Sequence, residues 1–265
     1  MTKKKVITRN NKVKYIQCNL NNHKNILNKL KSQTFNYIIN FSGNINHYDK
    51  KDTFEAHYRN LVNIVKYIKK TRSDLLIQIG SSLEYGKRNS PHIESAVCKP
   101  VSNYGKAKNL ASEFIKKNLS NYIILRPYQI YGPFQKKDRL IPITIDSCLK
   151  KKKFACTEGS QKRDFLFVED FINLIKIILQ KKKIKTGIYN VGLGKPVKVK
   201  KKINLIVKII REGKPLFGKL KMRKDETKIL YPNITKVKKT FNWKPKTSLK
   251  FGLQKTIRYY KNSKC

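Results

Sequence analysis

Apolar residues fall along this chain in two rhythms. Residues 37–41, 75–79 and 122–126 form short, nearly unbroken apolar runs, as expected of strands covered on both faces rather than wetted on one. Between them the spacing changes. Over residues 53–70, Phe54, Leu61, Ile64, Val65 and Ile68 recur at helical period, and over residues 103–118 Tyr104, Ala107, Ala111, Phe114 and Ile115 do the same. Both stretches read as crossover helices between parallel strands. Further helices are expected over residues 140–149, 171–179 and 201–210, and a strand over residues 187–191. From residue 232 the tail holds two short helical patterns: Pro245 should break the first, and residues 249–260 make the second. Strands alternating with helices predict an α/β fold with a doubly wound, mostly parallel sheet, and they exclude an antiparallel sandwich.

Length and charge narrow the setting. A chain of 265 residues supports one sizeable core, with room for a smaller appendage. Its 61 Lys+Arg against 16 Asp+Glu give a net charge of +45, which raises nucleic acid or an anionic membrane as a partner. The lysines, however, run through every segment and accompany Asn and Ile rather than Arg. The runs at residues 150–153, 181–183 and 200–202 flank apolar stretches as solvated edges. Nucleic acid is therefore not the expected partner. Five cysteines, an odd number without CxxC spacing, argue against a disulfide framework and for a reducing cytoplasm. No histidine stands at zinc-finger spacing, and no metal site is expected. Residues 1–10 are basic without the apolar centre of an export signal, and nowhere do about 18 apolar residues follow one another, so neither export nor a membrane span is expected.

The candidate chemistry begins where the run at residues 75–79 passes into Gly80, Ser81, Ser82, Leu83, Glu84, Tyr85 and Gly86. Small hydroxyl residues there stand just beyond the carboxyl end of a parallel strand, the edge at which open α/β sheets bind ligands. Tyr104 follows, with Lys108 four residues further on the same helix face. An ammonium beside a phenol favours the phenolate, which ordinarily forms only near pH ~10. Tyr104 is then expected to serve as acid or base near neutrality, with Ser81 orienting a substrate hydroxyl or carbonyl.

Other landmarks follow in order: residues 90–94 and 99–104 upstream of the helix, the stretch from Leu125 through Arg126, Pro127, Tyr128 and Gln129 to Pro133, the stretch from Arg163 and Asp164 to Asp170, and residues 189–192. With these the chain resembles, over residues 13–260, the NAD-dependent epimerase/dehydratase family, the extended short-chain dehydrogenases that act on nucleotide sugars. The resemblance implies a Rossmann-like sheet over residues 1–132, completed by residues 164–192. Residues 133–163 and 193–265 then form a smaller substrate-binding region. It makes Ser81, Tyr104 and Lys108 a catalytic trio, with Lys108 also bonding the nicotinamide ribose and Tyr104 exchanging the proton of a sugar hydroxyl. Phe41, Ser42, Gly43, Asn60 and Pro127 would line the NAD or NADP. Ser82 and Gln129 would face the substrate, Gln129 standing where many relatives carry an asparagine. Arg163 would reach the nucleotide diphosphate, a task suited to its planar fork of donors. The helices over residues 53–70 and 103–118 match those through which relatives form homodimers by a four-helix contact. A role in making cell-surface polysaccharide fits such an enzyme.

Departures from the family pattern sharpen the expectation. Its 4,6-dehydratases follow the catalytic hydroxyl with an Asp-Glu pair, where this chain has Ser82 and Leu83; without proton carriers there, elimination is disfavoured. None of the 12 glycines makes a GxxGxxG turn. Residues 3–8 resemble the family's second strand and residues 15–20 its third, so that about one βα unit of ~30 residues is absent, through N-terminal truncation of the sheet or through loss of the cofactor cradle. Arg9, at the end of the presumed second strand, could meet the 2′-phosphate of NADP, and Asn19 replaces an aspartate usual in the adenine-contacting turn. The expected function is an NAD(P)-dependent nucleotide-sugar epimerase or 4-ketoreductase with Tyr104 as acid/base. The alternative is a catalytically impaired homologue that binds a nucleotide sugar or a polyanion.

Overall fold

In a computed structural model, which describes residues 12–44, 49–222 and 226–262, the unbroken apolar runs become the strands of one sheet. Helix α1 (His23–Leu30) leads to β1 (Tyr37–Asn40). Helix α2 (Lys50–Phe54), a wider helical turn over Glu55–Arg59 and α3 (Asn60–Thr71) then cross to β2 (Leu75–Ile79). A tight turn at Ser82–Tyr85 and α4 (Asn103–Asn118) lead to β3 (Tyr122–Pro127). The chain continues through β4 (Gln129–Tyr131), α5 (Leu140–Leu149), β5 (Lys153–Ala155), β6 (Lys162–Arg163), β7 (Phe165–Phe167) and α6 (Val168–Gln180) into β8 (Gly187–Val191). After it come β9 (Val197–Lys198), α7 (Val199–Ile210), β10 (Lys214–Leu216), β11 (Ile229–Leu230), α8 (Thr235–Phe241) and α9 (Leu249–Asn262).

The main sheet has the order β1-β2-β3-β8, parallel throughout, with Ile77 paired to Ile39 on one side and Ile123 on the other. Successive side chains point to opposite faces, and both faces are covered. Leu75, Ile77, Ile123, Leu125 and Val191 meet Leu174 and Ile178 of α6, Val237 of α8 and Trp243. Leu76 and Ile124 meet Leu61, Val65 and Ile68 of α3 and Ala111 and Ile115 of α4. Each buried aliphatic of this size contributes about 1.5–3 kcal/mol, which is why these runs lack the polar alternation of a one-sided sheet. A separate cluster forms under α5, α7 and α9, where Tyr131, Ile145, Phe165, Ile203, Leu253 and Ile257 pack together. Among the described residues no helix is long and apolar enough to cross a membrane.

Several sequence expectations need correction. Residues 15–20 form no strand: Tyr15 and Ile16 are 43% and 37% exposed. A strand requires a partner backbone, and the ladder of β1 runs only to β2 among the described residues. Residues 3–8 and Arg9 lie outside the described residues. The helix expected over residues 53–70 starts three residues earlier and is interrupted by the wide turn. Helices α6 and α7 also begin ahead of their apolar stripe, at Val168 and Val199. Helix α8 ends at Phe241, where Asn242 takes the left-handed conformation (φ 49°), rather than at Pro245. That reversal turns Trp243 into the core, where its indole N–H donates to the Asp170 carbonyl at 3.2 Å, and the Asp170 carboxylate accepts the Lys246 and Thr247 amides.

Lys202 of α7 is fully buried, its ammonium 3.3 Å from the Phe165 ring centre and without a hydrogen-bond partner among the described residues. Burial pushes its pKa far down, against the pull of Asp164. We predict that Lys202→Met raises stability at pH 7 by about 1–3 kcal/mol, the cost of an unsatisfied buried polar group. Because the folded state binds fewer protons here than the unfolded chain, wild-type stability rises with pH through this window. The advantage of the variant in denaturant unfolding should therefore shrink toward pH 10, and an advantage independent of pH would contradict the assignment.

Candidate active site

The parallel strands end at one edge of the sheet, and the hydroxyl and basic side chains gather there. Ser81, in extended conformation just past β2, caps the turn Ser82–Tyr85: its Oγ accepts the Leu83 N–H at 3.1 Å and its own N–H donates to Glu84 Oε1 at 2.8 Å, a reciprocal capping box. Helix α4 is capped by Ser102, whose Oγ accepts the Gly105 N–H at 3.1 Å. The helix comes so close to that turn that a Cβ on Gly105 would stand 2.5 Å from the Leu83 carbonyl oxygen. Glycine at this position is what lets Tyr104 and Lys108 lie against Ser81.

Tyr104 is half-buried, with the Ser81 side chain near enough to act on its phenol. Burial pushes its phenol up, and the Ser81 side chain pulls the other way. Lys108 is buried, donates to the Ile79 carbonyl at 2.7 Å and stands 5.8 Å from the Tyr104 ring centre. Burial pushes its ammonium down to about 8, opposed by the charge of Glu84. The expected downward pull on Tyr104 is thus not the net result. Desolvation of the phenolate outweighs it, and the ammonium is spent partly on a backbone carbonyl.

Two neighbours of the trio went unnoticed in the sequence. Glu84 has no exposed surface; its Oε2 accepts from Ser112 Oγ at 2.7 Å and from Arg126 Nη2 and Nε at 2.7 and 2.9 Å. An acid three residues after a serine past a strand is the capping-box signal, and it was available. His57 had no such signal. The wide turn over Glu55–Arg59 brings it, buried, edge-on to Tyr104 with ring centres 4.9 Å apart, and its Nε2 lies 2.9 Å from the Asn44 carbonyl. Helical turns of this wider kind are often found at functional sites. Asn60, expected on this helix beside the dinucleotide, donates from its side-chain amide to the Ala56 carbonyl at 3.5 Å.

The remaining expected residues fall into two groups. Phe41 is exposed at the end of β1, Ser42 is held by Asn40 Oδ1 through both its N–H (2.9 Å) and Oγ (2.6 Å), and Gly43 packs so closely on His57 that a Cβ would meet the ring at 2.4 Å. Pro127 ends β3 on the same edge. Gln129 and Arg163 share a different place, a cavity of about 350 Å³ whose walls include Ile143, Phe154, Cys156 and Phe165 and none of the trio. Arg163 there is ion-paired with Glu226 and donates from Nη1 to the Lys162 carbonyl at 2.8 Å. Ser82 is buried while Leu83 stays exposed beside it.

Comparison with known proteins gives one family. The profile described as the NAD dependent epimerase/dehydratase family matches residues 2–192. CDP-abequose synthase of Salmonella typhimurium is 31% identical over 145 residues, 52% of this chain and 48% of that protein. UDP-glucuronate 4-epimerase of Thermodesulfobacterium geofontis is 24% identical over 79% of this chain and 66% of its own length. The chain thus spans about half to two thirds of the length of these curated relatives. Among solved structures, UDP-glucuronic acid 4-epimerase from Bacillus cereus in complex with UDP-glucuronic acid and NAD superposes with a TM-score of 0.81 at 23% identity, covering 91% of this chain and 78% of that one. At that identity the likeness is one of fold.

The Glu84 contacts predict a coupled stability effect. Glu84→Ala should cost about 3–5 kcal/mol by leaving the Arg126 guanidinium buried without its partner. Adding Arg126→Met should recover most of that loss in urea unfolding. Two single costs that simply add would show that the pair does not act as a unit.

Proposed function

The chain belongs to the NAD dependent epimerase/dehydratase family, and from that premise we propose that it is an NAD- or NADP-dependent enzyme that transfers hydride at a ring carbinol or ketone of a nucleotide sugar, as a 4-epimerase or 4-ketoreductase. The observation that carries this reading is the gathering of Ser81 and Tyr104 at the carboxyl edge of a parallel sheet, with the Lys108 ammonium 5.8 Å from the Tyr104 ring centre. The residues around it fit the nicotinamide and ribose half of the cofactor. Lys108, bonded to Ile79 through one N–H, has further donors for a ribose hydroxyl. When bound, the nicotinamide supplies or accepts the hydride.

The protein's own groups manage the proton. In reduction, the Tyr104 phenol donates to the ketone oxygen while Ser81 Oγ–H holds that oxygen in place; in oxidation, the same phenolic oxygen takes the proton back. Burial holds the Tyr104 phenol in its protonated form, the form that donates in reduction, and oxidation uses the phenolate. Ser82 and Leu83 offer no carboxyl to remove a proton from the sugar ring, which argues against water elimination. Arg163 would hold the diphosphate in the cavity that it shares with Gln129, and the sugar would extend from there to Tyr104. Helices α3 and α4 pack side by side and are the proposed homodimer surface.

The test is nicotinamide absorbance of the full chain with UDP-, dTDP- and CDP-linked 4-keto and 4-hydroxy sugars. Turnover is expected with at least one, and Tyr104→Phe should lower it by about 10²-fold or more. The reductive rate should fall as pH rises past about 8, where Lys108 loses its proton. Absence of turnover across the panel with both NADH and NADPH would overturn the proposal.

A further inference from the structure

A cavity of about 730 Å³ lies between α4, the edge strand β8 and the loop over residues 93–98, and neither the trio nor Gln129 and Arg163 line it. Its size is that of a small-molecule site. Ile93, Val97 and Ile188 give it an apolar wall. Its acids are already engaged: Glu94 Oε1 accepts the Asn190 N–H at 2.9 Å, and Glu113 Oε2 meets the Lys116 ammonium at 3.0 Å. Two other polar atoms of the lining are not. Arg126 gives Nε and Nη2 to Glu84, while its Nη1, on a side chain 1% exposed, has no hydrogen-bond partner among the described residues. The Cys98 thiol that acts on this guanidinium is only a weak acceptor. Asn109 Oδ1 is likewise buried without a partner among the described residues. Lys236 of α8 lines the same cavity; burial pushes its ammonium down, Glu94 pulls it up, and the charges of Lys185 and Arg126 push it down further. The cavity thus combines an unmet donor on a guanidinium, a second cation that this guanidinium repels, and an unmet acceptor.

We propose that this cavity is a binding site for a small organic acid that carries a hydroxyl or ammonium group beside its carboxylate. The carboxylate takes the Arg126 Nη1–H, replacing a weak sulfur acceptor with a charge-assisted bond, and it relieves the repulsion between Arg126 and Lys236. The hydroxyl or ammonium donates to Asn109 Oδ1, and the apolar part of the acid lies against Ile93, Val97 and Ile188. This binding does not depend on the proposed reaction, so it stands or falls apart from turnover.

Isothermal titration of the full chain with L-malate, L-glutamate and L-leucine at constant ionic strength tests this. Butyrate serves as an acid without the donor, and leucinamide as a donor without the carboxylate. At least one of the three acids should bind with a dissociation constant of about 1 mM or tighter, and both controls about tenfold more weakly, equivalent to about 1.4 kcal/mol. Lys236→Met and Asn109→Leu leave the Arg126–Glu84 pair in place, and each should weaken the binding about tenfold, with circular dichroism and thermal melting confirming that both fold. No saturable binding of any of the three acids, or binding that both variants leave unchanged, overturns the proposal; ordered water then meets Nη1 and Oδ1. Controls that bind as tightly as the acids overturn the ligand chemistry assigned to the cavity.

Discussion

A carboxylate with no exposed surface sits where the supports of the site meet. Glu84 accepts the Ser81 amide from the end of β2, the Ser112 hydroxyl from α4, and two N–H groups of Arg126 from β3. The helix it holds carries Tyr104 and Lys108, and the strand it holds ends at Pro127. An apolar pair of similar volume could be as stable, since desolvating two charges offsets much of their attraction. What an apolar pair lacks is direction. The carboxylate oxygens demand donors at fixed angles, so the turn, the helix and the strand keep one mutual register. The same charge opposes the loss of the Lys108 proton, so the residue that fixes the geometry also tunes the electrostatics.

The other buried cations show how differently one charge can be accommodated in a chain of net charge +45. Arg126 has Glu84, with its guanidinium over the Tyr85 ring at 4.6 Å, and Arg163 has Glu226. Lys108 has the Ile79 carbonyl, and Lys202 has aromatic faces and the more distant Asp164. Acidic residues are scarce, so each buried one marks a place where geometry matters. Exposed lysine pairs such as Lys255 with Glu169 are screened by water and add little.

Much of the fold could be read along the chain. The runs of β2, β3 and β8 and the stripes of α4 and α5 were legible to within a residue, because burial on both faces or on one stripe writes itself into local apolar spacing. Less legible were features that depend on a partner. Residues 15–20 have strand-forming composition yet no ladder among the described residues, and Asn242 rather than Pro245 ends α8 because Trp243 must reach the core. The landmark residues also turned out to hold one another: Tyr85 donates to Asn190 Oδ1 at 2.8 Å, and the Asn190 amide donates to Glu94 Oε1 at 2.9 Å. Local spacing carries no trace of contacts that span about a hundred residues.

For the site, the order of Ser81, Tyr104, Lys108, Gln129 and Arg163 along the chain was enough to identify the family and the sheet edge where the trio gathers. Strand ends and the four-residue helical repeat are local properties, fixed by backbone geometry. Only the tertiary structure decided that His57 stands beside Gly43 and Tyr104, that Gln129 and Arg163 line one cavity, and that burial raises Tyr104 despite a lysine one turn away. Desolvation and long-range pairing depend on which distant segments close over a residue, and that is settled only when the chain has packed.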